Sequence, residues 1–375
     1  MPSALFSSLK LRDLTLPNRI VVSPMCQYSS EDGNANDWHL MHWGSMALSG
    51  AGLFLVEATA VSAQGRITPG DLGLYSDANE AAFKRCLDAV RKYAPPGAIG
   101  AQIAHAGRKA SSREPWNGGA LIPLSEPGSW QPLGPSALPH IPGEAPAQAL
   151  TETQILQIIE DFAATAKRCE RLGLDAIELH GAHGYLLHEF LSPIANQRTD
   201  QWGGSLENRM RFPLAVYDAV RKVWPKGKPL GMRVSTTDWV EGGWTVEETI
   251  TFSKVLHQRG CDWIDCSSGG VDPAHQKITL GPGYQVPNAE KVKQAVPDIP
   301  VIAVGLITDP HQAEEIVASG KSDMVALARG LLYNPRWPWH AAAALGASVT
   351  APKQYWRCAP REYPKVLGDV KVGQR

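Results

Sequence analysis

The chain has 375 residues, 43% hydrophobic and 19% charged, with 36 basic against 37 acidic side chains. This composition suits a globular protein with a large core, and the near-zero net charge gives no electrostatic case for nucleic acid or an anionic membrane. No apolar run approaches the roughly 20 residues that span a bilayer, the N-terminus lacks the basic start and apolar core of a signal peptide, and six scattered cysteines without a CxxC pair argue for buried thiols in a reducing cytoplasm.

Short apolar runs alternate with amphipathic ones along the whole chain. A strand is predicted over 19–24 and a helix over 37–49, then a strand over 52–57 and a helix over 79–93. A third strand, 98–103, runs into a Pro-, Gly- and Ser-rich stretch, 106–150, before a helix over 151–172. Strand–helix pairs follow at 175–180 and 206–223, 229–234 and 245–259, 262–267 and 286–295, 299–304 and 309–318, and 322–328 and 335–345. The strands are apolar almost throughout, as parallel strands covered on both faces must be. Thr151-Glu-Thr-Gln154 reads as a capping box, Ser205 as a helix start, and Gly173, Gly260 and Gly320 as helix stops. These units predict a single α/β domain, a (β/α)8 TIM barrel. A doubly wound sheet would want GxGxxG after the first strand, and that motif is missing. A connection as long as 106–150 is usually functional, and the reading places it as an excursion over the catalytic mouth.

Barrel chemistry gathers at the C-terminal ends of strands. Those ends carry Pro24-Met25-Cys26-Gln-Tyr28, Glu57-Ala-Thr-Ala60, Gln102-Ile-Ala-His105, His180-Gly-Ala-His183-Gly-Tyr185, Arg233, Gly305 and Ala328-Arg329-Gly330. Glycine-bearing turns after strands seven and eight offer free N–H groups for a phosphate. Together with Gln102 and Arg233 they suggest a phosphorylated heterocycle. FMN fits, since glutamine can bind an amide-like ring edge and a guanidinium stabilises the charge that its N1–C2=O edge gains on reduction. Barrels that bind phosphorylated substrates share the same turns, so spacing alone leaves both open. His180 and His183 could equally bind a metal or satisfy a polar core, Cys26 could be an inert thiol, and Arg233 could anchor Glu57 or Glu178. Lys109 is left between a cofactor contact and solvent, with His105 and Arg108 equally ambiguous. His39 and His42 read as structural, and Asn196, Arg198, Asp200, Asn208 and Arg209 as a hydrogen-bonded loop clamp.

Pro24–Tyr28, His180–Tyr185 and the long run Asn196-Gln-Arg-Thr-Asp-Gln-Trp-Gly-Gly-Ser-Leu-Glu-Asn-Arg-Met-Arg-Phe212 resemble the Old Yellow Enzyme family of FMN-dependent ene-reductases across essentially the whole chain. Cys26, the His/His pair and Gln354-Tyr-Trp-Arg357 resemble its thermophilic-like, xenobiotic reductase A-like subclass. Trp202 stands where the motif generally has Tyr, and the residues after Arg357 are less familiar.

The resemblance implies tightly bound FMN, NADPH or NADH as transient hydride donor, and ping-pong reduction of enones, enals, maleimides and nitro compounds. It implies that His180 and His183 bind the substrate oxygen, that Tyr185 donates the proton, and that Tyr28 is a second donor. Cys26 would tune the flavin. Gln102 and Arg233 would bind its ring, with Ala60, Pro24 and Met25 against it, and Gly305, Ala328 and Arg329 would hold the phosphate. The C-terminal segment 346–375 would carry Arg357 into a neighbouring subunit's site, giving a homodimer or homotetramer.

Overall fold

The eight apolar runs close into a parallel barrel: β1 (Ile20–Val22), β2 (Leu53–Ala60), β3 (Ala98–Ala104), β4 (Ala176–Gly181), β5 (Leu230–Ser235), β6 (Ile264–Ser267), β7 (Val301–Val304) and β8 (Met324–Leu327). The computed structural model describes residues 2–371. Strands pair in chain order, and β8 returns to β1 through Val325–Ile20, Ala326–Val21 and Leu327–Val22. Every strand residue is buried, which is why these strands read as unbroken apolar runs rather than as alternation.

An outer ring of helices follows: α1 (Asp37–Ala47), α2 (Asp77–Tyr93), α3 (Glu152–Arg171), α4 (Leu206–Val223), α5 (Val246–Gln258), α6 (Val286–Ala295), α7 (Pro310–Ala318) and α8 (Trp337–Ala344). Thr151 and Gln154 form the expected capping box on α3, and Ser205 accepts from Asn208 N–H at the start of α4. β2 runs on to Ala60 past a register shift between Val56 and Thr59, so the polar run predicted as its exit is part of the strand.

The N-terminal hairpin, Leu9–Leu11 with Leu14–Leu16, was not predicted. It packs Leu11 and Leu16 against Leu53, Ala98, Ala176 and Met324, the first residues of four strands, and so closes the N-terminal end of the barrel. Three aspartates at that end repeat one device. Asp175, Asp262 and Asp323 each precede a strand and accept the N–H of Ile99, Leu230 and Val301 on the strand before. Each also meets a cation: Arg91 at 2.9 Å, Arg12 at 2.6 Å and Lys293 at 2.9 Å.

Segment 106–150 holds short 3-10 turns, the pairing of Leu133–Gly134 with Gln148–Ala149 and a bridge between Ser112 and Leu121. It reaches several strand ends. Trp130 Nε1 donates to Gln64 O at 3.0 Å, Arg108 donates to Pro139 O and Val271 O, and the Trp116 ring lies edge-on to Tyr28 at 5.7 Å. In the C-terminal segment Val349, Ala351, Val366 and Leu367 pack on Ala342 of α8. Residues 372–375 of that segment lie outside the described residues.

Candidate active site

Two imidazoles and a phenol meet where β4 ends. Ala182 N–H donates to His180 Nδ1 at 3.3 Å, which leaves the proton of the neutral ring on Nε2. Burial, followed by the charges of Arg233 and Lys109, holds His180 well below the usual histidine range. His183 is held the same way by burial, Arg233 and His180. Its backbone N–H donates to Ser235 Oγ at 2.9 Å, and its Nε2 lies 2.6 Å from Ser267 Oγ. The two rings are 5.1 Å apart and nearly perpendicular, and Tyr185 lies 4.9 Å from His180. Burial, then Cys26 and Tyr28, pushes the Tyr185 phenol well above its ordinary value, so it keeps its proton.

The turn that presents these rings is built backbone against backbone. A Cβ on Gly184, at φ 72°, would meet Gly270 O at 2.2 Å, and one on Gly270 would meet His183 O at 2.6 Å. Gly184 N–H donates to His188 Nδ1 at 2.8 Å, and His188 Nε2 lies 2.9 Å from Asp238, both side chains fully buried.

At the exit of β1, Tyr28 adopts φ 51° and its hydroxyl interacts with the Cys26 thiol. Burial, Asp71 and Glu57 raise Cys26, which is therefore a neutral thiol. Glu57 accepts Gln27 N–H at 2.7 Å and is pushed up to about 8 by burial. Ala60 is buried and faces a small space shared with Ala104 and Tyr185.

At the exits of β7 and β8, Arg233, Ser267, Tyr284, Gly305, Arg329 and Gly330 are among the residues lining a cavity of about 190 Å³. Gly305 has φ 127°, and a Cβ there would meet Gln285 Nε2 at 3.0 Å. Ala328 precedes the short helix Arg329–Tyr333, whose first N–H groups have no intrahelical acceptor. Arg233 donates to Ser23 Oγ at 3.0 Å, and its Nε lies 3.4 Å from Asp265. That Nε makes no hydrogen bond among the described residues. The carboxylate within ion-pair distance of Arg233 is thus Asp265, its register partner on β6, while Glu178 feels the guanidinium's charge without pairing with it. Gln102 donates to Glu178 Oε1 at 2.9 Å.

FMN matches these groups. A buried guanidinium with an unused donor, a glutamine amide on the neighbouring wall, and a glycine-lined turn beside a helix start fit a ring edge and a phosphate.

Lys109 is half-buried rather than solvated. Its ammonium donates to His183 O at 2.9 Å and lies 4.6 Å from the centre of the Tyr185 ring. His105 Nδ1 accepts Gly107 N–H at 3.1 Å, and burial lowers the ring to about 4. The polar set after β4 is a clamp: Asn196 donates to Phe190 O and Trp202 O, Arg198 to Pro135 O and Leu150 O, and Arg209 to Leu191 O. Pro24 and Met25 leave β1 half-buried, while Arg357 lies on the exposed turn Lys353–Cys358 in the C-terminal segment that packs on α8. Sequence reasoning missed Ser23, Asp265, Ser267 and Tyr284. Ser267 is the last residue of β6, so the strand-end rule that found His180 could have found it.

Residues 4–347 match the NADH:flavin oxidoreductase / NADH oxidase family. The chain is 44% identical to the NADPH dehydrogenase of Geobacillus sp. (strain WCH70), over 95% of this chain and 99% of that one. It is 41% identical to the NADPH dehydrogenase of Bacillus subtilis (strain 168), over 95% and 99%. Among solved structures, morphinone reductase superposes with a TM-score of 0.75 at 29% identity, covering 94% of this chain and 92% of that one. The barrel, the mouth and these relatives lead to one conclusion: the chain belongs to the NADH:flavin oxidoreductase family of Old Yellow Enzyme type and is an FMN-dependent NAD(P)H oxidoreductase.

Proposed function

We propose that this enzyme reduces activated alkenes, including enones, enals, maleimides and nitro compounds, in a ping-pong cycle with NADPH as donor. The observation that carries the reading is the convergence of two neutral imidazoles and a protonated phenol at the end of β4. When bound, FMN would supply the hydride transfer from NAD(P)H to the alkene β-carbon.

His180 Nε2–H and the His183 ring receive the substrate's carbonyl or nitro oxygen, where enolate charge develops. Donors aimed at such charge are typically worth about 3 kcal/mol each. Tyr185 gives its phenol proton to the α-carbon, and Tyr28 offers a second hydroxyl. Arg233 and Gln102 would hold the ring edge, Ala60, Pro24 and Met25 would bracket it, and Gly305, Ala328 and Arg329 would hold the phosphate. Cys26 is a neutral thiol that would sit beside the ring, and Cys26→Ala should shift the flavin potential. Donor and acceptor both need the His180–Tyr185 corner, which is the reason for ping-pong order.

Segment 106–150 shields this mouth from water through Trp116, Trp130 and Arg108. Arg357, on the outside of its own barrel, completes a neighbouring subunit's site in a homodimer or homotetramer. The fully buried free thiols Cys86, Cys169 and Cys266 suit a reducing, cytoplasmic compartment. The test is anaerobic: NADPH should bleach the flavin absorption near ~450 nm, and 2-cyclohexen-1-one should restore it with formation of cyclohexanone. Bleaching that only oxygen reverses would refute alkene reduction.

A further inference from the structure

We infer that Lys109 is a positioning residue for the proton donor: its ammonium, over the Tyr185 ring and bonded to the His183 carbonyl, holds the β4 turn and eases loss of the phenol proton. The inference rests on Tyr185 as proton source. Burial, with Cys26, Tyr28 and Asp71 adding to it, makes Tyr185 a poor acid, since a phenolate in this corner would lose its hydration. Something must offset that cost at the moment of transfer.

The geometry supplies one cation for the task. Lys109 Nζ lies 4.6 Å from the Tyr185 ring centre and 2.9 Å from His183 O. Arg108, the adjacent cation, is committed to Pro139 O and Val271 O, and Arg233, beside Ser23 and Asp265, is the donor assigned to the flavin ring. A positive charge over the ring favours negative charge on it, and more so in a desolvated corner. The same ammonium disfavours charging of His180 and His183, which keeps them donors rather than acids.

In the step, the Tyr185 O–H bond breaks and its proton goes to the substrate α-carbon. The alkene π pair forms the new C–H bond, while the hydride from NAD(P)H, delivered by way of flavin, supplies the β-carbon. The negative charge rests on the Tyr185 oxygen until water reprotonates it.

Lys109 is set to lose its charge within reach of ordinary assays. Burial lowers it to about 8 against the pull of Glu189 on the short helix Leu186–Leu191, with Arg108 lowering it further and Cys26 opposing. His140 of segment 106–150 also feels its charge, and His180, His183 and Tyr185 complete its surroundings. Its folded value lies below the ordinary one, so the ammonium is present below about 8 and is lost as pH rises through it. Alkene reduction should fall with it.

The experiment measures oxidation of the reduced holoenzyme by 2-cyclohexen-1-one in stopped flow, from about pH 6 to about pH 10. Wild type should show an alkaline limb near 8. Lys109→Arg keeps charge and donors without titrating, so it should retain more activity than Lys109→Met and lose the limb. Lys109→Met should be about 10- to 30-fold slower at neutral pH. It should add little to Tyr185→Phe, because both act on one proton transfer. Oxidation by ferricyanide, which takes no proton from Tyr185, should not change.

A readout independent of turnover is the ¹³Cε resonance of labelled lysine. One signal, missing from Lys109→Arg, should titrate near 8. A limb that persists in Lys109→Arg, additive losses in the double variant, or a midpoint near the ordinary lysine value would overturn the role of Lys109 alone. Tyr185→Phe as fast as wild type would instead overturn the reading on which it rests.

Discussion

At the N-terminal end of the barrel the acids are settled: Asp175, Asp262 and Asp323 each hold a strand N–H and a cation, above a plug made by Leu11 and Leu16. At the C-terminal end the same strands deliver polar groups that are buried and incompletely matched. Glu57, Glu189, Asp265, Arg233 and His105 each keep a buried polar atom without a hydrogen-bond partner among the described residues. Glu57, Glu178 and Glu189 are each pushed up to about 8 by burial. Unmatched buried polar groups cost stability, so the unmatched carboxylates and guanidinium at this end mark where the chain holds groups for a ligand rather than for the fold.

The largest effect that would break this contrast is at Arg233. Arg233→Met strands Asp265 in the barrel, at a cost of about 3–5 kcal/mol, and removes the donor assigned to the flavin ring. Purified protein should carry little flavin and take up added FMN at least ~100-fold more weakly, as read by absorbance in an FMN titration. Full flavin occupancy would mean that the mouth's charge serves the fold.

Leu16→Ala tests the other end. It should lower unfolding free energy by about 2–5 kcal/mol and leave turnover of the folded enzyme within about twofold, measured by urea denaturation and steady-state kinetics. A smaller contrast comes from Glu57→Gln. The raised folded value of Glu57 means that its contribution to stability is full below its ordinary value of 4.5 and is lost as pH rises through about 8. The variant should flatten the decline in urea midpoint across that window, by at most about 1.4 kcal/mol per pH unit. An unchanged slope would show that Glu57 ionises as an exposed carboxylate does.

The barrel was legible because strands buried on both faces leave long apolar runs, and because capping residues such as Thr151 and Ser205 mark helix starts. The hairpin 9–16 was not, since three-residue strands leave little to count; its alternating Leu9, Leu11, Leu14 and Leu16 were the available signal. Within the site, strand ends predicted where His180, Arg233 and Gly305 would emerge. Side-chain directions set by loops were out of reach. Lys109 points at His183 O because of the turn that follows β3, and His180 carries its proton on Nε2 because of one backbone N–H two residues on.

The central claim is that the β4 corner holds hydrogen-bond donors for a substrate oxygen. His180→Ala with separate half-reactions tests it most directly. Alkene reduction should slow by about 100-fold, as for loss of one oxyanion donor, phenol binding should weaken, and reduction of the flavin by NADPH should slow far less. Equal losses in both half-reactions, or unchanged phenol affinity, would contradict it.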